Sequence, residues 1–351
     1  MLKATYLTHT LRFKNPSGTS RGVLNTKETC FLILKEGDRW GIGECALLRG
    51  LSIDDRPDYE AKLKWTCDHI ALGEIALYKA LSEFPSIQFG VETAFKSFFA
   101  ETPFELFPSE FTQGNTAMPI NGLVWMGDPD FMKHQIEEKL EQGFNCIKMK
   151  IGAIDFASEI ALLKSIRESF SSEEIEVRVD ANGAFSPSEA LEKLHLLAAL
   201  QLHSIEQPIQ QGQWQEMAKL CEVTPLPIAL DEELIGIFSS EEKANLLNTV
   251  KPQYIILKPS LIGGFRGSDA WIELADKLNV GWWITSALES NIGLNAISQY
   301  TFTKNSKLPQ GLGTGSLYTN NIAAPLEIKS GKLNYNSKKQ WDTELFSEHL
   351  K

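Results

Sequence analysis

Two lysines, Lys148 and Lys150, alternate with Ile147, Met149 and Ile151 in the run IKMKIG, residues 147–152. Alternate residues of a strand share a face. The spacing therefore predicts one apolar face and one face with two like charges, neither easily buried. Other strand-like runs also end in polar residues. IEVRVDAN sets Glu176, Arg178 and Asp180 on one face and Ile175, Val177 and Val179 on the other. Later runs end at Glu206, at Asp231-Glu232 and at Lys258, and another delivers Ser286, Glu289 and Ser290. Singly, a carboxylate at a strand end reads as a helix cap and a lysine as a solvated charge. The joint pattern is different: three consecutive strands end in Asp, Glu and Asp, with lysines on the strands to either side.

That pattern carries a chemistry. Three converging carboxylates repel and raise one another's pKa, and a divalent cation removes the conflict. Asp180, Glu206 and Asp231 are hard oxygen ligands with no His or Cys among them, which suits Mg2+, with Mn2+ able to substitute. Lysines facing each other across the metal suit proton abstraction beside a substrate carboxylate. A lysine acts as the base, its pKa lowered by the neighbouring lysine and the cation, and the metal stabilises the enediolate.

Such residues need a scaffold that brings strand ends together. Residues 2–14 and 22–36 read as strands, with a turn at KEGD, and 59–82 and 88–101 read as helices. This predicts an α+β domain over residues 1–115. From about residue 116, apolar runs recur, each followed by a helical pattern: 118–124, 145–151, 175–181, 202–208, 226–232, 254–260, 281–287 and 310–315. Eight such units predict a closed (β/α)8 TIM barrel over 116–325, with its catalytic face at the carboxyl ends of the strands. An open doubly wound sheet is disfavoured, because INGLVWMGDPD lacks the GxGxxG expected after the first strand. GKLNYNSKKQWD reads as a strand returning to the first domain, within a C-terminal return over 326–351.

Bulk properties agree with an enzyme acting on small molecules. The chain has 351 residues, 43% of them hydrophobic, enough for a large core. A net charge of -11 argues against nucleic acid and anionic membrane surfaces as partners. No apolar run is long enough to span a bilayer, and the N-terminus lacks a signal-peptide pattern. The five cysteines are scattered and form no CxxC, so the expected compartment is the cytoplasm. The expected partner is a small-molecule carboxylate.

Taken together, the Lys-x-Lys of KMK, the DAN of VDANGAF, IEQP, LDEEL and LKPS resemble, in order, the enolase superfamily and its muconate-lactonising subgroup. The resemblance covers nearly the whole chain and implies an α+β capping domain, a modified (β/α)8 barrel and a C-terminal return. It implies Asp180, Glu206 and Asp231 as metal ligands, Lys150 as acid/base, Lys148 as the neighbour that tunes it, and Lys258 as the opposing lysine. Asn182 and Glu232 match positions that orient ligands and lysine. Two cap loops, 15–22 and 45–55, are expected to close over the site. Arg178 either pairs with a metal ligand, lines the pocket, or forms a structural salt bridge.

The subgroup shares one chemical step, so departures must separate its reactions. The Asp-x-Asp that holds an ammonium in dipeptide epimerases is replaced here by Gly311 to Ser316. SALESNIGL resembles the o-succinylbenzoate synthases of the subgroup. That resemblance implies Mg-dependent dehydration of 2-succinyl-6-hydroxy-2,4-cyclohexadiene-1-carboxylate. Ser286 and Ser290 would bind substrate oxygens, and Gly313 and Gly315 would let the ring approach the backbone. Dipeptide epimerase or N-acylamino acid racemase is the alternative, and a non-catalytic ligand-binding barrel a remote one.

Overall fold

The computed structural model describes residues 1–19 and 22–350. Strands β1 (Lys3–Thr19), β2 (Gly22–Glu36) and β3 (Arg39–Cys45) form an antiparallel sheet in that order. Helices α1 (Tyr59–Asp68), α2 (Glu74–Ala80) and α3 (Pro85–Phe99) cover it. α3 is buried on nearly all sides, because the cap sheet and the second half of the molecule both pack on it. Gly41 and Gly43 permit the approach: a Cβ on either would fall within 2.6 Å of α3 backbone atoms.

Strands β4 (Met118–Pro119) and β5 (Gly122–Val124) follow, then α4 (Pro129–Glu141), β6 (Cys146–Lys150), α5 (Phe156–Ser169) and β7 (Glu176–Asp180). The alternation continues through α6 (Pro187–Ala198), β8 (Ser204–Glu206), α7 (Trp214–Val223), β9 (Ile228–Leu230), α8 (Ser240–Val250) and β10 (Tyr254–Leu257). It ends with α9 (Gly264–Leu278), β11 (Gly281–Ile284) and α10 (Asn291–Thr303). Several of the barrel helices start where the sequence supplies caps. Asp128 accepts from Phe131 N at 2.9 Å, and Ser186/Glu189 and Ser239/Glu242 form capping boxes.

β5 to β11 make one parallel sheet in chain order. The eighth run, 310–315, is not a full strand. Gln310 bridges Ile120 on one edge, and Gly311 bridges Thr285 on the other. Gly311 N donates to Ile284 O at 2.8 Å and Ser286 N to Gly311 O at 3.0 Å. Closure is therefore made by a minimal, glycine-rich segment. A Cβ on Gly311 would lie 2.1 Å from Thr285 Oγ1, so the approach itself demands glycine.

Two further expectations change. The first run, 118–124, splits: β5 joins the parallel sheet, while β4 pairs with β13 (Lys332–Tyr335), which also pairs with β12 (Leu326–Lys329). The strand of the C-terminal return thus joins β4 rather than the cap sheet. Contact with the cap comes from the residues after it. Trp341 stacks on Phe104 at 4.2 Å, and Phe346 meets Phe31 edge-on at 5.1 Å. Of the expected cap loop 15–22, residues 15–19 belong to β1, and residues 20 and 21 lie outside the described residues.

Candidate active site

Register builds the site. Lys150 pairs with Asp180 and Asp180 with Glu206 across three neighbouring strands. Asp231 follows β9 directly, and Lys258 follows β10 directly. All lie at the carboxyl ends of the parallel strands. Ile147 and Met149 fill the barrel's hydrophobic core, while Lys148 and Lys150 turn the other way.

The like charges of the KMK run are reconciled by one oxygen. Lys148 Nζ and Lys150 Nζ both donate to Asp180 Oδ2, each at 2.9 Å. Lys148 also donates to Glu206 Oε2 at 2.5 Å, and Lys150 to Asn182 Oδ1 at 2.7 Å. Across the barrel, Lys258 donates to Asp231 Oδ2. Burial works against the Lys148 ammonium, but Asp180 and Glu206 raise its pKa above the usual lysine value. Lys258 is also raised: burial opposes it, and Asp231 and Glu206 outweigh that. Burial opposes the Asp180 carboxylate too, yet Lys148 and Lys150 hold its pKa well below the usual range.

Asn182 sits at a left-handed φ of 44°, a conformation asparagine tolerates better than most residues. The turn aims its side chain back at Lys150, and its Nδ2 donates to Glu232 Oε1 at 3.0 Å. Gln207 and Glu233, which the sequence reading missed, brace the same rim. Gln207 Nε2 donates to Glu233 Oε2 at 2.9 Å, and Asp231 N donates to Gln207 Oε1 at 3.2 Å. Each lies next to a singled-out carboxylate, at IEQP and LDEEL, and that adjacency was the available signal.

Among the described residues, no three Asp, Glu, His or Cys side chains stand around one point ready to hold a cation. The lysines account for this, since Lys148 engages Asp180 and Glu206 while Lys258 engages Asp231. The donor set nevertheless fits a hard divalent cation. Glu206 Oε1 is buried with no hydrogen-bond partner, and a buried acceptor left unpaired is costly.

A cavity of about 1290 Å³ opens above these groups, lined by Lys148, Lys150, Asn182 and Lys258 from the barrel. Lys14, Asn15 and Pro16 and residues 48–51 line it from the cap, so both expected cap segments reach it. Ser286 lines it, with its Oγ 2.5 Å from Thr314 Oγ1. Gly313 lines it as well. Gly315 also borders the cavity, but a Cβ there would meet Asn291 Oδ1 at 2.7 Å, so its small size serves packing on α10.

Two expected site residues lie elsewhere. Ser290 is fully buried and does not line the cavity. Its Oγ and N donate to Glu44, because it is the cap residue of α10. Arg178 takes the structural alternative. It donates to Glu176 Oε1 at 2.6 Å and Pro309 O at 3.0 Å and lies over the Trp283 ring at 4.2 Å.

Residues 132–339 match the family model described as enolase C-terminal domain-like. The o-succinylbenzoate synthase of Desulfotalea psychrophila is 46% identical, over 95% of this chain and 98% of that protein. The crystal structure of MenC from D. psychrophila superposes with a TM-score of 0.84 at 41% identity, covering 95% of this chain and 99% of that one. A muconate lactonizing enzyme from Pseudomonas fluorescens superposes at 0.81 with 20% identity, covering 99% and 98%, which speaks for the fold alone. No helix among the described residues is long and apolar enough to cross a membrane.

Proposed function

We propose, for a chain that belongs to the enolase C-terminal domain-like family, within the enolase superfamily and most like its o-succinylbenzoate synthases, the following reaction and roles. The enzyme is a hydro-lyase of menaquinone biosynthesis that dehydrates 2-succinyl-6-hydroxy-2,4-cyclohexadiene-1-carboxylate to 2-succinylbenzoate. The observation that carries the assignment of roles is that Lys150 and Lys258, from different sides of the barrel, line one cavity and are each ion-paired with a buried strand-end carboxylate, Asp180 and Asp231.

Neutral Lys150 takes the proton from the carbon beside the substrate carboxylate. Its ammonium form is then held by Asp180 Oδ2 and Asn182 Oδ1. The electron pair left on carbon forms the ring double bond as the neighbouring C–O bond breaks. Lys150 returns the proton to the departing hydroxyl on the same face, so one C–H and one C–O bond yield water and an aromatic ring. Lys258 balances charge from the other side, and Lys148 keeps Asp180 and Glu206 in place. Asp180, Glu206 and Asp231 would hold a divalent cation, Mg2+ in our reading with Mn2+ able to substitute, which supplies electrophilic stabilisation of charge on the substrate carboxylate. Glu232 acts through Asn182; Ser286 would bind substrate oxygens, and Gly313 would let the ring approach the backbone.

The absence of acidic side chains from Gly311 to Ser316 supports this substrate over a dipeptide with its ammonium. We assign residues 1–115 to the cap and 116–325 to the catalytic barrel; of the return, 326–335 pairs with β4 at the barrel, and Trp341 and Phe346 reach the cap. Five cysteines, all unpaired, support a cytoplasmic setting. The test is the loss of diene absorbance on adding the cyclohexadiene and Mg2+. Turnover that stops on chelation is expected, and none with metal present would refute the reading.

A further inference from the structure

Glu44 is a fully buried carboxylate near the end of β3, in the cap. Its Oε1 accepts from Thr29 Oγ1 at 2.8 Å and Ser290 N at 2.9 Å. Its Oε2 accepts from Ser290 Oγ at 2.5 Å and Gly293 N at 2.8 Å. Three of these four donors belong to the start of α10, in the barrel. A helix N-terminus offers unpaired N–H groups and a field that favours negative charge, so this is a charge-assisted link between the two halves. A Cβ on Gly293 would stand 2.9 Å from Glu44 Oε2, so the seat is shaped for close approach. Behind it, Lys27 of β2 is buried with no hydrogen-bond partner for its ammonium, and its electrostatic partners are Glu44 and Glu289. Glu289 in turn accepts from Ala287 N at 2.7 Å and from Ser260 Oγ.

The chain leaving each side of this link lines the cavity. Four residues after Glu44 begins the cap wall, 48–51, and just before Ser290 lies the barrel wall, 286–288. Leu48 N donates to Ser52 Oγ and Ser52 N to Leu48 O, both at 2.9 Å, so the cap wall is a compact turn that moves with its root. We propose that Glu44 is a positioning residue that clasps the root of the cap wall to the N-terminus of α10 and thereby sets the distance between the two walls of the substrate cavity. This rests on the cavity being the substrate site, as proposed above. The substrate would meet the walls and not Glu44. Ser290 belongs to the clasp, not to the substrate contacts.

The test compares Glu44→Gln and Ser290→Ala with the wild type by hydrogen exchange and steady-state kinetics. Glutamine keeps one acceptor oxygen but turns an NH2 toward donors. Exchange at the amides of Leu48 and Ser52 is expected to quicken at least about tenfold in Glu44→Gln. KM should rise about tenfold while kcat stays within about threefold, because the lysines stand on barrel strands the clasp does not hold. Ser290→Ala, which removes one hydroxyl, should move the same readings in the same direction by less and retain the fold. Unchanged exchange at Leu48 and Ser52 in both variants would overturn the proposal. So would a raised KM in Ser290→Ala with wild-type exchange, since Ser290 would then touch substrate directly. The exchange readout needs no substrate. It decides the clasp even if the wild type fails to turn over the cyclohexadiene, a result that counts against the reaction alone.

Discussion

Asp180 Oδ2 accepts from both lysines of the KMK run, and this shared oxygen makes two like charges on one strand face tolerable. Removing one partner of such a buried cluster leaves the rest uncompensated. Lys150 and Lys148 are distinguished by what else they touch. Lys150 reaches Asn182 on the rim of the cavity, whereas Lys148 reaches down to Glu206. We expect Lys150→Ala to lose at least about 10²-fold in kcat, the usual contribution of an acid/base group, with its fold retained by circular dichroism. A variant with wild-type turnover would remove Lys150 from the base role. The residue types and their period-two spacing were legible in the sequence because strand alternation alone puts Lys148 with Lys150 and Arg178 with Asp180. What each side chain bonds was not. Arg178 shares its face with Asp180, yet it lies two residues deeper in the barrel and pairs with Glu176.

Elements were legible to the extent that local periodicity governs them. β6 and β7 follow the alternation, and several barrel helices, α6 and α8 among them, start at their caps. The run 310–315 and the split of 118–124 were not legible, since both depend on edges that meet only in the closed barrel. Ser290 illustrates the same limit, because a serine that caps a helix and one that binds substrate look alike in sequence. Cap carboxylates on barrel helices were equally hidden. Besides Glu44, Glu92 of α3 accepts from Phe265 N at 2.6 Å and Arg266 N at 3.2 Å, at the start of α9. These partners are more than 170 residues apart. Burial pushes the Glu92 carboxyl up to about 8, against the pull of those amides and of the Arg266 guanidinium. In the unfolded chain its pKa is about 4.3. Between those values the folded chain holds a proton that the unfolded chain has released, so this group's contribution to stability falls as pH rises toward 8. Glu92→Gln stays neutral throughout. The melting temperature of Glu92→Gln relative to wild type should therefore climb by several degrees from pH 5.5 to 8.5. A constant difference would contradict the account.

At the scale of the whole molecule, cap and barrel share the walls of the cavity, with the proposed acid/base lysines on the barrel side and residues 48–51 on the cap side. The two-part architecture was legible from the change in texture near residue 116. The clasp that aligns the parts was not, because it joins residues about 250 positions apart. The proposed metal ligands, Asp180, Glu206 and Asp231, link metal to stability. A ligand present at 100 times its dissociation constant stabilises the native state by about 2.7 kcal/mol. Mg2+ should accordingly raise the melting temperature by several degrees, and chelator should reverse the rise. Asp180→Asn should show little of that response. Equal Mg2+ responses in the two proteins would place the cation elsewhere.

The central claim is that Lys150 removes a proton beside a carboxylate on a ring that then loses water. The most direct measurement is proton NMR in deuterated water with Mg2+, offering the enzyme the cyclohexadiene carboxylate and, separately, a dipeptide. The account predicts aromatic signals of 2-succinylbenzoate from the first and an intact α-proton signal from the second. No aromatic product, together with loss of the dipeptide α-proton signal to solvent deuterium, would contradict it and assign the same lysines to an epimerase.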